Sequence, residues 1–204
     1  MRTHLFAVRG ALAAALLALA GCASTHVESS GSPMQEPLCR AGAPALATIV
    51  VWGTQWRPDQ KEPALREAAA LHGIDDFLAG TRCLAVTGVQ RYPDGAEPPS
   101  DAQLLQQLAT SSPRADRIVL IVVRELGPRL TVGLPVIVEG GTEVVIDVRV
   151  LDPQQAAPLA STRTQWRHGG TFVIKGVQTL AQDMSAALRA TLMPGSVPGD
   201  AARP

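Results

Sequence analysis

Three side chains in the first half of the chain are of types, and at a spacing, that would allow them to bind a metal ion together. His72, Asp75 and Asp76 are three and four residues apart, so an uninterrupted helix would place an imidazole and two carboxylates on one face. Gly73 lies between them and predicts a break or kink. We therefore interpret them as an exposed helix end with solvated charges, and the sequence predicts no metal and no cofactor.

Nucleophilic catalysis needs a base beside the nucleophile, and the sequence contains no G-x-S-x-G elbow, no P-loop and no H-E-x-x-H motif. The segment GGTFVIKG at 169–176 has the glycines and a lysine of a phosphate loop but lacks its Lys-Ser/Thr ending. Of the four histidines, His4 and His26 lie outside the folded part predicted below. A hydrolase would have to use His72 or His168, and the sequence favours a protein that is not an enzyme.

Aromatic and arginine side chains follow three predicted strands at the point where each strand ends. The strand at 46–52 runs into WGTQWR, the strand at 83–90 into RY, and the strand at 116–125 ends in RE. If these strands are parallel neighbours, their carboxyl ends meet at one edge of the sheet, where α/β proteins bind ligands. This predicted binding edge has residue types enriched at hot spots and consists of Trp52, Trp56, Arg57, Arg91, Tyr92 and Arg124. The alternative is that Trp52 belongs to the core and the arginines are solvated loop ends.

The first 21 residues have the pattern of a secretory leader. Residues 1–10 contain two arginines and no acid, and residues 11–20 form an uninterrupted apolar run. That run is shorter than the roughly 20 residues that span a bilayer. It leads into Leu19-Ala20-Gly21-Cys22, which resembles the lipobox of bacterial lipoproteins.

The lipobox resemblance implies cleavage before Cys22, a diacylglyceryl thioether on its sulfur and an acyl chain such as palmitate on its amine. Each buried methylene contributes about 0.8 kcal/mol, so several chains together make a stable anchor. Ala23 stands where an aspartate commonly retains lipoproteins in the inner membrane, which predicts an outer-membrane location facing the periplasm. The alternative is an ordinary signal peptide whose cysteine is incidental.

Cys39 and Cys83 are then the remaining thiols, and an oxidising periplasm favours a disulfide between them. Closing a loop of about 45 residues would stabilise the fold by roughly 4 kcal/mol in the chain-entropy model. The alternative is two independent buried cysteines.

The net charge and the composition limit the classes of protein to which this chain can belong. The net charge is zero and becomes about −2 without the leader, which carries two arginines and no acid. Proteins that bind nucleic acid normally carry a basic excess, so nucleic acid is excluded as a partner. Hydrophobic residues make up 46% of the chain, which suffices for one buried core.

The pattern along the chain predicts one domain at 45–193 between two segments with little to bury. Residues 22–44 are rich in serine, glycine and proline and are predicted to be a flexible tether from lipidated Cys22. Residues 194–204 are predicted to be a disordered tail.

Strands and helices alternate in the first half of this domain, with the strands named above and helices at 59–80 and 100–109. Ser100 and Gln103 form a capping box for the second helix. Strands at 130–139, 142–151 and 159–167 follow, with Gly140-Gly141 as a hairpin turn, and a helix at 172–192 closes the domain. The order βαβαββββα predicts an α/β (α+β) fold with one mixed sheet and packed helices.

Four stretches of the second half carry a resemblance to known envelope proteins. They are ADRIVLIVVRELG at 115–127, EVVIDVRVLD at 143–152, LASTRTQWR at 159–167 and TLAQDMSAALRATL at 179–192. They resemble the soluble domain shared by curli-secretion-type lipoproteins and the amino-terminal domain of the Tol-system β-propeller protein. The resemblance implies the same fold and a role in envelope assembly, but no pore, since the long hairpins that build a barrel are missing from the sequence.

Together these observations predict a non-enzymatic outer-membrane lipoprotein whose domain binds another envelope component and supports assembly or transport. The predicted partners are the membrane, through the anchor, and an envelope protein, with a homo-oligomer as a further option. One alternative is a small-ligand or glycan-binding module in which Trp52 and Trp56 stack on sugar faces. Another is a hydrolase that uses His72 or His168.

Overall fold

The computed structural model describes residues 23–38, 42–93, 95–111, 115–133, 137–155 and 157–195. The strands are β1 (Ser24–Ser32), β2 (Leu46–Thr54), β3 (Leu84–Arg91), β4 (Arg117–Gly133), β5 (Ile137–Leu151) and β6 (Ala160–Thr171). The helices are α1 (Pro63–Ala79), α2 (Asp101–Ser111) and α3 (Leu180–Leu192). The six strands form one sheet in the order β1-β6-β5-β4-β2-β3. The pairs β3/β2 and β2/β4 are parallel and the others antiparallel, which confirms the predicted mixed sheet with packed helices.

The sheet separates two layers of buried apolar side chains. On one face, called face A, α1 and α3 cover the sheet and bury side chains such as Ile74 and Leu188. On the other face, called face B, α2 buries Leu104 against residues that include Ile118. Because alternate residues of a strand point to opposite faces, the apolar run at 118–123 supplies both layers.

Strand β1 lies in the segment at 22–44 that composition predicts to be a flexible tether, and for Ser24–Ser32 this prediction is wrong. All nine residues of Ser24–Ser32 pair antiparallel with β6, while their side chains are exposed. Backbone hydrogen bonds therefore hold the strand, with side-chain bonds from Thr25 to His168 and from Ser29 to Thr164. An apolar pattern cannot reveal a strand that buries no side chain.

The hairpin of β4 and β5 is longer than the sequence predicts. One continuous strand, Arg117–Gly133, replaces the two strands expected at 116–125 and 130–139. Gly140-Gly141 lies inside β5, so the predicted turn is wrong. Glycine is needed there because other backbone segments come close. A Cβ atom would lie 2.0 Å from the Val173 carbonyl oxygen at Gly140, and 2.4 Å from the His168 carbonyl oxygen at Gly141.

The glycine of α1 also has a packing role. The helix runs through Gly73 without interruption, which corrects the predicted break. A Cβ atom at Gly73 would lie 2.5 Å from the Ala181 carbonyl oxygen and 2.6 Å from the Met184 Cβ, so α1 and α3 make their close approach here. The closing helix begins at Leu180 rather than at 172, because β6 extends to Thr171 and a 3-10 turn at Val177–Thr179 precedes α3.

Candidate functional site

The three strands that carry the predicted binding edge are parallel neighbours, which is the arrangement that this hypothesis required. β2 lies between β3 and β4 and is parallel to both, with Trp52 beside Arg91 and Thr54 beside Val123. The pairing of β4 with β5 shifts register between Val123 and Glu125, which makes a bulge at Arg124. Bulges re-aim side chains next to them. The strand ends that carry the six residues are therefore neighbours, but the sheet separates Trp52 on one face from Tyr92 on the other.

On face A the edge is built around Trp52. This side chain is 3% exposed and belongs to the core, as the alternative interpretation held. The guanidinium carbon of Arg91 lies 5.4 Å from the centre of the Trp52 ring, within range of a cation–π interaction. The Arg91 Nη2 atom also lies 2.8 Å from Glu67 Oε2 on α1. Arg91 is thus balanced by a carboxylate and covers the tryptophan.

A second cluster at this edge joins α1 and the preceding loop to β4 through Glu125. Arg57 Nη2 lies 2.8 Å from Glu125 Oε2, and Arg66 Nη1 lies 3.6 Å from Glu125 Oε1. Arg66 is 8% exposed, and its guanidinium donates to the Lys61 carbonyl oxygen at 2.7 Å and to the Leu126 carbonyl oxygen at 2.5 Å. This buried cation connects three segments at the edge.

On face B, Asp147 of β5 fixes the position of Arg124. Arg124 Nε donates to Asp147 Oδ2 at 2.5 Å, and Arg163 of β6 donates to the same carboxylate at 2.6 and 2.9 Å. Burial raises the pKa of Asp147, but the hydrogen bonds from Arg163 and Arg124 outweigh it and leave the pKa below its ordinary value. The carboxylate is therefore charged at neutral pH, and Arg124 is paired with a carboxylate as Arg57 and Arg91 are.

Tyr92 also lies on face B and packs against the backbone of β2. It is 7% exposed, and a Cβ atom at Gly53 would lie 2.4 Å from its ring, so the glycine leaves room for the phenol. The Tyr92 Oη atom is buried without a hydrogen-bond partner among the described residues. Burial raises the pKa of Tyr92 to about 12, and the Arg124 charge opposes that rise.

The burial of Tyr92 predicts that its ionisation and the stability of the protein depend on pH above about 10. The ionisation is easy to follow by absorbance, because the chain contains one tyrosine. We expect the tyrosinate absorbance of the native protein to have a midpoint near pH 12, against about 10 in denaturant. Since folding raises this pKa, the contribution of Tyr92 to stability is complete below about pH 10 and is lost as the pH rises towards about 12. A native midpoint near 10 would show that the phenol faces solvent, and Tyr92→Phe should remove the transition.

Trp56 borders the open space at this edge. It lines a cleft of about 680 Å³ together with residues that include Gln55, Glu67 and Arg124. A neighbouring cleft of about 370 Å³, lined in part by Tyr92, shares Ala96 with it. The Trp56 Nε1 atom is buried, and no described residue accepts a hydrogen bond from it. An indole N–H can only donate, and leaving it unpaired costs roughly 1–3 kcal/mol.

The acidic half of this site has almost no signature in the sequence. Glu67, Glu125 and Asp147 balance arginines of the binding edge, and none of them was predicted. Each of these carboxylates lies on a different element from its arginine, so no spacing along the chain connects the two. The one signal available was Glu125 directly after Arg124 at a predicted strand end.

The histidines lie away from this edge. His72 and the two aspartates that follow it are exposed on α1, and no cluster of metal-binding side chains occurs within the described ranges. The His168 Nδ1 atom lies 2.9 Å from Thr25 Oγ1, and its ring stacks on Trp166 at 5.7 Å between centres. This contact joins the exposed strand β1 to β6.

Cys22 and Cys39 lie outside the described residues, so the lipid anchor and the disulfide stay predictions. Leu38 and Ala43, on either side of Cys39, line a cavity of about 460 Å³ together with Cys83. The chain on both sides of Cys39 therefore lies near Cys83, which supports the proposed bridge. Within the described ranges, no helix has the length and apolar character needed to cross a bilayer.

Solved structures of similar shape share little sequence with this chain. The PelC dodecamer from Paraburkholderia phytofirmans is 14% identical with a TM-score of 0.42, over 81% of this chain and 95% of that chain. A point variant of that protein is 16% identical with a TM-score of 0.45, over 81% of this chain and 96% of that chain. A protein from Xanthomonas campestris with the family model DUF330 is 13% identical with a TM-score of 0.34, over 79% of this chain and 88% of that chain. No family model and no curated protein matches the sequence, and these likenesses assign no function.

Proposed function

We propose that this chain is a non-enzymatic protein of the outer membrane, anchored through lipidated Cys22, whose domain faces the periplasm. The domain would bind another component of the cell envelope and support assembly or transport. The lipobox at Leu19-Ala20-Gly21-Cys22 supports the anchor. The parallel strand ends that meet at the binding edge support the location of the contact surface.

The observation that carries the binding proposal is the cleft beside Trp56. A large aromatic side chain borders open space there, and its buried N–H has no partner among the described residues. The arginines around it are already balanced by carboxylates, so the cleft does not present a bare cationic surface to an anion. An aromatic anchor within a rim of paired charges is typical of a protein–protein hot spot.

The structure favours a protein partner over a glycan. The glycan alternative requires two tryptophan rings that stack on sugar faces. Trp52 is buried beneath α1 and is covered by Arg91, which leaves Trp56 as the one stacking ring of that pair. We therefore propose an envelope protein as the partner, with a second copy of this chain as one form that it could take.

A photo-crosslinking residue in place of Gln55 tests this proposal, because Gln55 lines the Trp56 cleft. We expect one discrete protein adduct in membranes that contain the full-length protein. Trp56→Ala should weaken the contact by about 2 kcal/mol, roughly thirtyfold in affinity, because it removes the anchor. Trp56→Phe keeps a ring but removes the N–H donor and should give an intermediate loss.

The same crosslinker in place of Val89, which is exposed on the edge strand β3, is the matched control. The position 55 adduct should be missing from this control. An adduct of twice the mass of the chain would identify a second copy, and an adduct sensitive to glycosidases would favour the glycan alternative. No adduct, or one that survives Trp56→Ala unchanged, would contradict the binding proposal.

A further inference from the structure

The far end of the β4–β5 hairpin carries apolar side chains that the helices do not cover. Leu130, Val132, Phe172 and Ile174 are 63% to 83% exposed, and Val177 is 38% exposed. We call these five residues the apolar end. Single exposed apolar residues are ordinary, but a cluster of them marks a surface that contacts a protein or a membrane.

Leu130 and Val132 lie on face A, and the segment that carries the other three residues passes over this face. Leu126 is buried on face A, and alternate residues of β4 share that face, so Leu130 and Val132 lie on it as well. A Cβ atom at Gly140 would lie 3.4 Å from Leu130 Cδ1 and 2.0 Å from the Val173 carbonyl oxygen, so the segment at 172–177 passes beside Leu130. Val132 pairs with Val138, whose carbonyl oxygen accepts the Phe172 N–H at 2.8 Å.

The backbone holds Phe172 in an unusual conformation. Its φ angle is 61°, in the left-handed region that side chains other than glycine rarely adopt. Such a conformation is unfavourable by itself and persists when the surrounding structure imposes it. Here it directs the chain away from β6 at Thr171 and leaves a phenyl ring in solvent, where it makes no contribution to the core.

The apolar end lies at the end of the sheet from which the proposed anchor emerges. β1 is antiparallel to β6, and Ser24 pairs with Gly169, two residues before β6 ends at Thr171. Cys22 precedes Ser24 by two residues, a stretch of chain that spans at most about 7 Å. Because β1 is paired along its whole length, this end of the domain cannot move far from the bilayer that holds the lipid.

We infer that the apolar end is a membrane-contacting surface, which enters the lipid layer beside the acyl chains on Cys22 and orients the domain. This inference rests on the proposed anchor. The occupant is the bilayer, because a lipid attached within about 7 Å of Ser24 brings the membrane to this end of the sheet before any other partner. The lipid and the apolar end then attach the domain to the membrane at two points, and the paired strand β1 joins the lipid-bearing end to the sheet.

Fluorinated phenylalanine tests the inference in the full-length protein extracted from membranes and reconstituted in phospholipid nanodiscs. The sequence contains Phe6, Phe77 and Phe172, and cleavage before Cys22 removes the first. Phe77 is 1% exposed and serves as an internal control. We expect nitroxide lipids labelled near the headgroup to broaden the Phe172 resonance severalfold more than that of Phe77. A water-soluble gadolinium chelate should leave the Phe172 resonance sharp.

Ile174→Asp adds a charge to the apolar end at the most exposed of its residues, so it should not disturb folding. It should make Phe172 accessible to the chelate, whereas Val89→Asp at the opposite edge of the sheet should not. If the protein is lipidated but the chelate broadens Phe172, the inference is wrong and the anchor stands. Shielding from both reagents would show a protein cover and would also overturn it. If intact mass shows an unmodified Cys22 and a third fluorine resonance, the anchor fails and the inference fails with it.

Discussion

Replacing Arg66 with alanine is expected to lower the free energy of unfolding by about 3 kcal/mol, the cost of breaking a buried charge pair from one side. Arg66 is buried and donates to the Lys61 and Leu126 carbonyl oxygens at 2.7 and 2.5 Å. Its removal leaves these acceptors without that donor and leaves Glu125 without its buried cation. Urea denaturation followed by circular dichroism measures the change as a lower midpoint at constant slope.

Arg57→Ala is the matched control, because Arg57 and Arg66 share Glu125 as a partner. The Arg57 pair is the shorter, 2.8 Å against 3.6 Å, but the Arg57 side chain is 67% exposed. Exposed ion pairs contribute about 1 kcal/mol or less, so Arg57→Ala should cost little. If the two variants lower the free energy of unfolding by the same amount, the burial of Arg66 does not explain its contribution to stability. Arg66→Lys should recover only part of the loss, because one ammonium cannot reproduce the donor fork of a guanidinium.

Replacing Gly73 with alanine is expected to destabilise the protein by about 2 kcal/mol, the usual cost of overpacking a tight contact. In an isolated helix the same change would stabilise by roughly 1 kcal/mol, so the predicted effect has the opposite sign to helix propensity. The reason is the backbone of α3. The new Cβ atom would lie 2.5 Å from the Ala181 carbonyl oxygen, which cannot rotate away as a side chain can.

Gly80→Ala, at the end of the same helix, is the control for Gly73→Ala. Gly80 has a φ of −78°, which any residue can adopt. A Cβ atom there would lie 3.1 Å from Nη2 of Arg189, the end of a flexible side chain. We expect the free energy of unfolding of Gly80→Ala, measured by thermal and urea denaturation, to stay within a few tenths of a kcal/mol of that of the unsubstituted protein. A Gly73→Ala protein as stable as the parent would show that α1 and α3 are not in close contact.

Features decided by residues close together in the chain could be predicted well. The capping box of α2 is confirmed, with the Gln103 N–H donating to Ser100 Oγ at 3.3 Å and the Ser100 N–H to Gln103 Oε1 at 2.8 Å. The first two predicted strands, 46–52 and 83–90, agree with β2 and β3 to within two residues at each end. Caps and apolar runs depend on neighbours within a few residues, and these are visible in sequence.

The binding edge could be predicted only in part. Alternation of strands and helices implied that three carboxyl ends would meet, and β2, β3 and β4 do meet there. Strand alternation does not distinguish the two tryptophans, of which Trp52 belongs to the core and Trp56 borders a cleft. The pair of Arg124 with Asp147 depends on the register of β4 with β5 and on a bulge, and neither is visible in the sequence.

By itself the sequence determined the mixed sheet with packed helices and the residue types at the ends of three strands. The tertiary structure alone decided that β1 is a strand, that four glycines serve close packing, and which carboxylate balances each arginine. The physical reason is the range of the interactions. Periodicity and capping act between residues a few positions apart, whereas register, close approach and ion pairing act between residues that only folding brings together.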